Sequence, residues 1–396
     1  MTKEMKMWKI IWVLSLTVGW GASFAQPVKL SDKAVLSIHS QTENADRTIF
    51  IQLPKEYGVV NKRYPVIILF DAQDQSLYNI TSSTVDRLIW TSDIPEAILV
   101  GVLQNNRSQE LNFEKYDQTA LRFLDFIKND LIGFLNKNYR TNGYLTLIGH
   151  SLGGQFVTNA MLTYPEVFKS VISISGALNY PNKDNTVVSN TLNKAGDYLF
   201  KRTDSSLRMQ KYYFSTGDEG FQDNGFKSGA LKLDSLYRLN KSKYINWHFD
   251  FWKGYNHMTT PLVSIPAGLT FIYKDWHFSD SLAMDVLVYN RSNPLQVLSD
   301  KQLKIQQSYG SDIALPRNSF FQFAAYSLSK GNVSEAEILT KQILDVYPND
   351  DESYSLMAEV YLKKGDTRNA LKYFEKAQSK SSPDKYARKI KSLKAN

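Results

Sequence analysis

The stretch "LTLIGHSLGGQFV", residues 145–157, sets a serine between glycines at the junction of two apolar runs. The run before it, "YLTLIG", reads as a strand, and "GQFVTNAMLTYP" after it reads as a helix. In that context G-x-S-x-G is the signature of a nucleophile elbow, a sharp strand-to-helix turn that lifts a serine hydroxyl to the N-terminus of a helix. Backbone segments approach closely in such a turn, so Gly149 and Gly153 are expected to have no room for a side chain. Ser151 is the candidate nucleophile, and the N–H of Leu152 the first candidate donor of an oxyanion hole.

Outward from the elbow, "YPVIILF", "EAILVGVL" and "SVISISG" are nearly continuous apolar runs, as strands covered on both faces require. Helical patterns lie between them, among them "ALRFLDFIKNDLIGFLNKNY", whose apolar residues recur at three and four spacing. The earlier runs "AVLSIHS" and "RTIFIQLP" alternate partially, as antiparallel edge strands do. The alternation continues through "KYYFSTG", "INWHFDFW" and the helical "IPAGLTFIYKDW", to about residue 275. The pattern predicts an α/β fold with a mostly parallel sheet flanked by helices, over 27–275.

A serine needs a base, and the base an orienting acid; on this fold they follow in the order Ser, Asp or Glu, His. The chain has five histidines. His39 precedes the nucleophile, His150 belongs to the elbow, His248 sits inside a predicted strand, and His277 follows a helix. His257, in the loop "KGYNHMTTP", stands where the base belongs. The acid is expected just after "KYYFSTG", at Asp218 or Glu219. The second oxyanion donor is expected from the loop "DAQDQ", at Ala72 or Gln73. Trp252 and Tyr255 (with Trp247) flank His257, and with His150 and Arg107 they are the candidate substrate-binding residues, Arg107 for an anionic group. No HExxH or comparable ligand spacing occurs, so neither a metal nor a cofactor is expected.

The two ends of the chain read differently from its middle. Lys3, Lys6 and Lys9, then "IIWVLSLTVGW", then "ASFAQ", form a basic, apolar and small-residue series. That is the pattern of a secretory signal peptide over 1–25, cut after Ala25, giving a periplasmic or secreted protein with no stable membrane span. The absence of cysteine excludes both a lipid-modified cysteine and disulfides. Net charge is +8, of which the first 25 residues contribute +2, and no basic cluster with interleaved aromatics marks a nucleic-acid surface. Near the C-terminus Ala324 and Ala358, Gly331 and Gly365, and Ala336 and Ala370 each lie 34 residues apart, the period of tetratricopeptide helix pairs. Two such repeats with a basic tail are expected over 317–396, after a helical linker over 276–316. Two repeats fall short of a free-standing solenoid, so they should pack on the catalytic unit or on the helical segment between about 276 and 316.

From about 35 to 275 the chain resembles the esterase family of α/β-hydrolases that includes esterase D, the ferric enterobactin esterases and related carbohydrate esterases. The segments that carry the resemblance are "RTIFIQLPKEY", "YPVIILFDAQ", "IPEAILVGVLQNNR", "GHSLGGQFV" and "GYNHMTTPLVSIPAGLTFIY", in family order. The resemblance implies a serine carboxylic ester hydrolase with Ser151 and His257 as nucleophile and base. Many members carry the acid three residues after the strand-ending glycine, where this chain has Gly220; "GDEG" looks like a branch that would make Glu219 the acid. Some enterobactin-type relatives work with a Ser/His pair alone. The aromatic residues near His257 suit a catecholate siderophore ester or an acylated glycan. An acyltransferase on the same fold, or a scaffold that binds a protein partner through the repeat pair, are the alternatives.

Overall fold

In the computed structural model, residues 32–58, 60, 62–179, 189–201, 209–240, 244–310, 313 and 315–395 are described. The predicted signal peptide lies outside them. Among the described residues no helix is long and apolar enough to cross a membrane.

Eight strands form one sheet: β1 (Lys33–Ser40), β2 (Ala45–Gln52), β3 (Tyr64–Phe70), β4 (Ile98–Val102), β5 (Thr141–His150), β6 (Ser170–Ile174), β7 (Gln210–Glu219) and β8 (Ile245–Asn256). Their spatial order is β1-β2-β4-β3-β5-β6-β7-β8. β1 pairs with β2, and β2 with β4, in antiparallel register; every other pairing is parallel. The continuous apolar runs became the central strands, with every residue of β3, β4 and β6 buried. β1, with its mixed pattern, is one edge of the sheet and β8 the other, while β2, also expected at an edge, is covered on its outer side by β1.

The helices that accompany the sheet are α1 (Gln75–Trp90), α2 (Arg107–Glu110), α3 (Asp117–Asp125), α4 (Ile132–Asn138), α5 (Leu152–Thr163), α6 (Asn190–Lys201), α7 (Gly220–Asn240) and α8 (Thr260–Tyr273). The single long helix expected after Ala120 runs through a π-helical turn, Phe126–Leu131, between α3 and α4. Phe123 and Phe126 lie side by side there, ring centroids 5.8 Å apart, beneath the buried guanidinium of Arg47. The core around the sheet has two parts, and a third, small cluster lies among the C-terminal helices at Ala358, Phe374, Ala377 and Tyr386. One face of the sheet packs on Phe123 of α3, Phe156 of α5, Ala195 of α6 and Leu233 of α7; the other on Leu77 of α1 and Leu269 of α8.

That second core does not end with α8. It continues through α9 (Asp280–Leu287) and α10 (Pro294–Tyr309) into α11 (Arg317–Ser329), α12 (Val333–Val346) and α13 (Asp351–Lys363). Two more helices follow, α14 (Thr367–Lys380) and α15 (Ala387–Lys394). The 34-residue register is visible in three dimensions. Ala324, Ala336, Ala358 and Ala370 have no exposed surface, and Gly331 and Gly365 take φ of 83° and 78° in the turns between paired helices. Arg317 forks onto Asp350 at 2.9 and 2.7 Å, and Phe278 meets Phe323 edge to face at 5.4 Å. Residues 31–396 form one compact unit.

Candidate active site

The C-terminal ends of the parallel strands bring three non-glycine residues together in the positive-φ half of backbone space. Asp71 (φ 61°) follows β3, Ser151 (φ 62°) follows β5, and Ser175 (φ 41°) follows β6. Side chains rarely adopt such backbone angles, and each one costs on the order of 1–3 kcal/mol that the surrounding bonds must offset. At Ser151 those bonds are its N–H to Ile174 O at 3.0 Å, and its carbonyl accepting from Gln155 and Ala177 at 3.2 and 3.1 Å. They fix a turn with the hydroxyl at the head of α5. A Cβ at Gly149 would stand 2.1 Å from the carbonyl oxygen of Gly153, and one at Gly154 would stand 2.8 Å from the Cα of Gly176. Gly153, expected to be the second strict position, has milder contacts, the nearest being Asp71 Oδ2 at 3.2 Å. The tight approaches are thus made at the first and third glycines of the motif.

His257 lies in the turn between β8 and α8 and is 6% exposed. Its Nδ1 is 2.9 Å from Asp223 Oδ1. A carboxylate can only accept, so Nδ1 carries the hydrogen and the lone pair falls on Nε2. Asp223 has no exposed surface, and its other oxygen accepts from the Gly217 N–H at 2.9 Å and the Ser175 hydroxyl at 3.2 Å. The acid expected at Glu219, with Asp218 as its neighbour, is therefore corrected: the carboxylate on His257 is Asp223. Glu219 is an exposed strand end paired with Asn256, and Asp218 accepts from the Gly254 N–H at 2.7 Å. β7 ends at Glu219, Gly220 turns the chain at φ 80°, and Asp223 sits in the first turn of α7, where the chain doubles back toward Gly217. The sequence signal for it was the helix start at "GFQDNGF", one turn beyond the strand end.

The loop after β3 also differs from expectation in one donor. The Ala72 N–H is spent on Val102 O at 3.2 Å, which removes it as an oxyanion donor. Gln73 remains from the expected pair, with its side chain bridging Asp71 Oδ1 and the Gln104 N–H. Leu152 opens α5, so its N–H is among the first-turn donors that the helix itself cannot satisfy. Arg107 clamps Asp71 with Nε and Nη2 at 2.7 and 2.9 Å, and Nη2 stands 3.5 Å from His150 O. The Arg107 side chain is 39% exposed, beside the elbow.

Two rings flank His257: His150, centroids 4.4 Å apart, and Phe226 at 5.5 Å. His150 Nε2 stands 2.8 Å from the His257 carbonyl oxygen. Burial, and then the neighbouring His257 and Arg107, push the His150 imidazole down from 6.5 to about 4. Trp252 and Tyr255 lie edge to face at 6.3 Å near the end of β8, while Trp247 turns inward, its Nε1 donating to Asp234 at 3.2 Å. The remaining histidines are engaged elsewhere: His39 with Asp46, His248 with Asp250, His277 with Asp93. Phe221 and Met258, 95% and 68% exposed, follow the ends of β7 and β8, within two residues of Asp223 and His257 in the chain.

Cavities of about 800 and 530 Å³ open at the opposite end of the sheet, beside Lys62 and Arg63 at the start of β3, and against α12 and its following turn. Neither is lined by Ser151, His257 or Asp223.

Several known proteins share this architecture. A protein of Capnocytophaga ochracea DSM 7271 superposes with a TM-score of 0.63 at 19% identity, over 92% of this chain and 100% of that one. An IroE-like serine hydrolase from Shewanella oneidensis gives 0.63 at 19% identity, over 79% and 98%. The siderophore hydrolase EstB from Aspergillus nidulans gives 0.52 at 17% identity, over 63% and 98%. At these identities the likeness is one of fold, the mostly parallel α/β-hydrolase sheet. Residues 40–256, more than half of the chain, match the sequence model of the family described as "Putative esterase". The matched span holds the strained serine turn and Asp223 and stops one residue before His257, and on that match the chain belongs to this family and is an esterase.

Proposed function

We propose that the protein hydrolyses a carboxylic ester through an acyl-enzyme on Ser151. His257 Nε2 takes the hydroxyl proton as Oγ attacks the ester carbonyl, and the N–H groups of Leu152 and Gln73 receive the oxyanion. His257 then passes that proton to the leaving alcohol, and the same sequence with water in place of serine releases the acid and restores Ser151. Asp223 holds the imidazole in the Nδ1–H tautomer and stabilises the imidazolium. The observation that carries this reading is the buried Nδ1–H···Oδ1 bond of 2.9 Å, in a loop adjoining the strained serine turn. Asp223 has three donors and no exposed surface, so it is already desolvated and oriented before substrate arrives.

The exposed Phe221 and Met258, close to the pair in the chain, together with Trp252 and Tyr255, support a substrate with an apolar or aromatic part. A catecholate siderophore ester or a feruloylated glycan has that character, and a siderophore substrate of some kind agrees with the name of the Aspergillus nidulans siderophore hydrolase. The N-terminal segment supports export to the periplasm or beyond, and the helix pairs support a second role in binding a protein segment.

The test compares the mature protein with Ser151→Ala on p-nitrophenyl acetate and butyrate, a feruloyl ester and a catecholate trilactone. Turnover by the native protein with a loss of at least about a hundredfold in the variant supports the mechanism. Equal turnover by both proteins removes Ser151 from the chemistry. Product analysis with a sugar acceptor present separates hydrolysis from acyl transfer, because only transfer yields an acylated sugar.

A further inference from the structure

The imidazole of His150 lies beside the reacting groups yet takes no part in the proton transfer. It closes β5, one residue before Ser151, and its ring lies 4.4 Å from that of His257 at an interplanar angle of 36°. Its Nε2 is 2.8 Å from the main-chain oxygen of His257. A carbonyl oxygen only accepts, so Nε2 carries the hydrogen, and the low proton affinity of the partly buried ring agrees with a neutral imidazole. The same carbonyl accepts from Thr260 Oγ1 at 3.0 Å. The next residue, Met258, is 68% exposed and gives the turn no anchor in the core. His257 is thus held at its side chain by Asp223 and at its main chain by His150 and Thr260.

We infer that His150 is a positioning residue, whose Nε2–H bond to the His257 carbonyl sets the place of the base relative to Ser151. This inference rests on the reading of Ser151 and His257 as nucleophile and base. A flat ring is suited to the task because it reaches the carbonyl while packing against the base. Its neutrality matters as well: a second cation beside His257 would oppose the imidazolium that forms as Ser151 attacks. The serine turn and the base loop, over 100 residues apart in the chain, are joined by this bond and ring contact from the residue next to the nucleophile.

The test uses a fluorophosphonate, which reports the activation of Ser151 whatever ester the protein prefers. His150→Phe keeps a ring and loses the donor, whereas His150→Gln keeps an amide donor of similar reach. His150→Phe is expected to slow labelling about tenfold, with KM for p-nitrophenyl acetate changed less than about twofold; His150→Gln is expected to stay within about threefold of native. Native-like labelling of His150→Phe, or equal losses in both variants, overturns the inference. Where His150→Phe does not fold, His150→Asn, whose amide stops short of the carbonyl, takes its place with the same expectation. If the native protein does not label at all, the nucleophile reading fails and the positioning inference is judged by proton NMR. The Nδ1–H resonance of His257 should then be protected from exchange in the native protein and in His150→Gln, and broadened in His150→Phe. Equal protection in all three overturns it.

Discussion

Ser151 holds a backbone conformation that serves its hydroxyl at the expense of the fold. Ser151→Gly should therefore unfold at higher urea than the native protein, by about 1 kcal/mol, while losing all esterase activity. A variant less stable than native would show that the turn is not strained. The bond from Asp223 makes a separate prediction. Asp223→Asn should lower kcat at least about a hundredfold, because the amide favours the wrong tautomer of His257, and Glu219→Gln should change it less than about twofold. The reverse ranking would return the acid to the strand end. His150 adds a pH signature. With its folded value at about 4 against an ordinary 6.5, the unfolded chain takes up a proton between those values that the folded chain refuses. The contribution is full above pH 6.5, falls as pH falls through the window, and is gone below about 4, a loss of about 3 kcal/mol. Denaturation at a series of pH values should show that decline, and His150→Gln should flatten it.

At the scale of elements, the sequence was legible wherever one local rule decided the outcome. The apolar runs of β3, β4 and β6 allowed nothing but two-sided burial, and "GHSLGG" required close backbone approach, so the sheet and the elbow could be read from residues alone. His257 followed from its place between the last strand and the last large helix of the sheet. The meeting of Asp223 with His257 was not legible, because it depends on how Gly220 turns the chain at φ 80° and returns the first turn of α7 toward Gly217. Adjacent carboxylates at Asp218 and Glu219 offered a nearer answer by sequence distance alone. The oxyanion loop failed in the same way at Ala72, since only the pairing with Val102 shows which amide is occupied. The π turn within the helix before β5 likewise answers to packing beneath Arg47 that lies far away in sequence.

At the scale of the molecule, the repeat pair was legible as a period, and its packing on the helices before it followed because two repeats do not stand alone; the residues that make the contact were not legible. Period fixes which residues share a helix–helix contact, and it says nothing of what covers the outer faces. Here the core that begins on one face of the sheet runs through α9 and α10 into the first helices of the pair. Phe323, fully buried and in contact with Phe278, lies within that continuation. Phe323→Ala should cost about 3–5 kcal/mol, and urea unfolding followed by both circular dichroism and esterase activity should remain a single transition. Loss of the helices in a separate, earlier step would show that the pair is an independent domain.

The most direct measurement is the intact mass of the protein after brief exposure to a fluorophosphonate, followed by peptide mapping. The mechanism predicts one adduct, on Ser151, formed at a rate that Asp223→Asn reduces at least about a hundredfold and Ser151→Ala abolishes. An adduct on another residue, or equal labelling of the native and Asp223→Asn proteins, would contradict it.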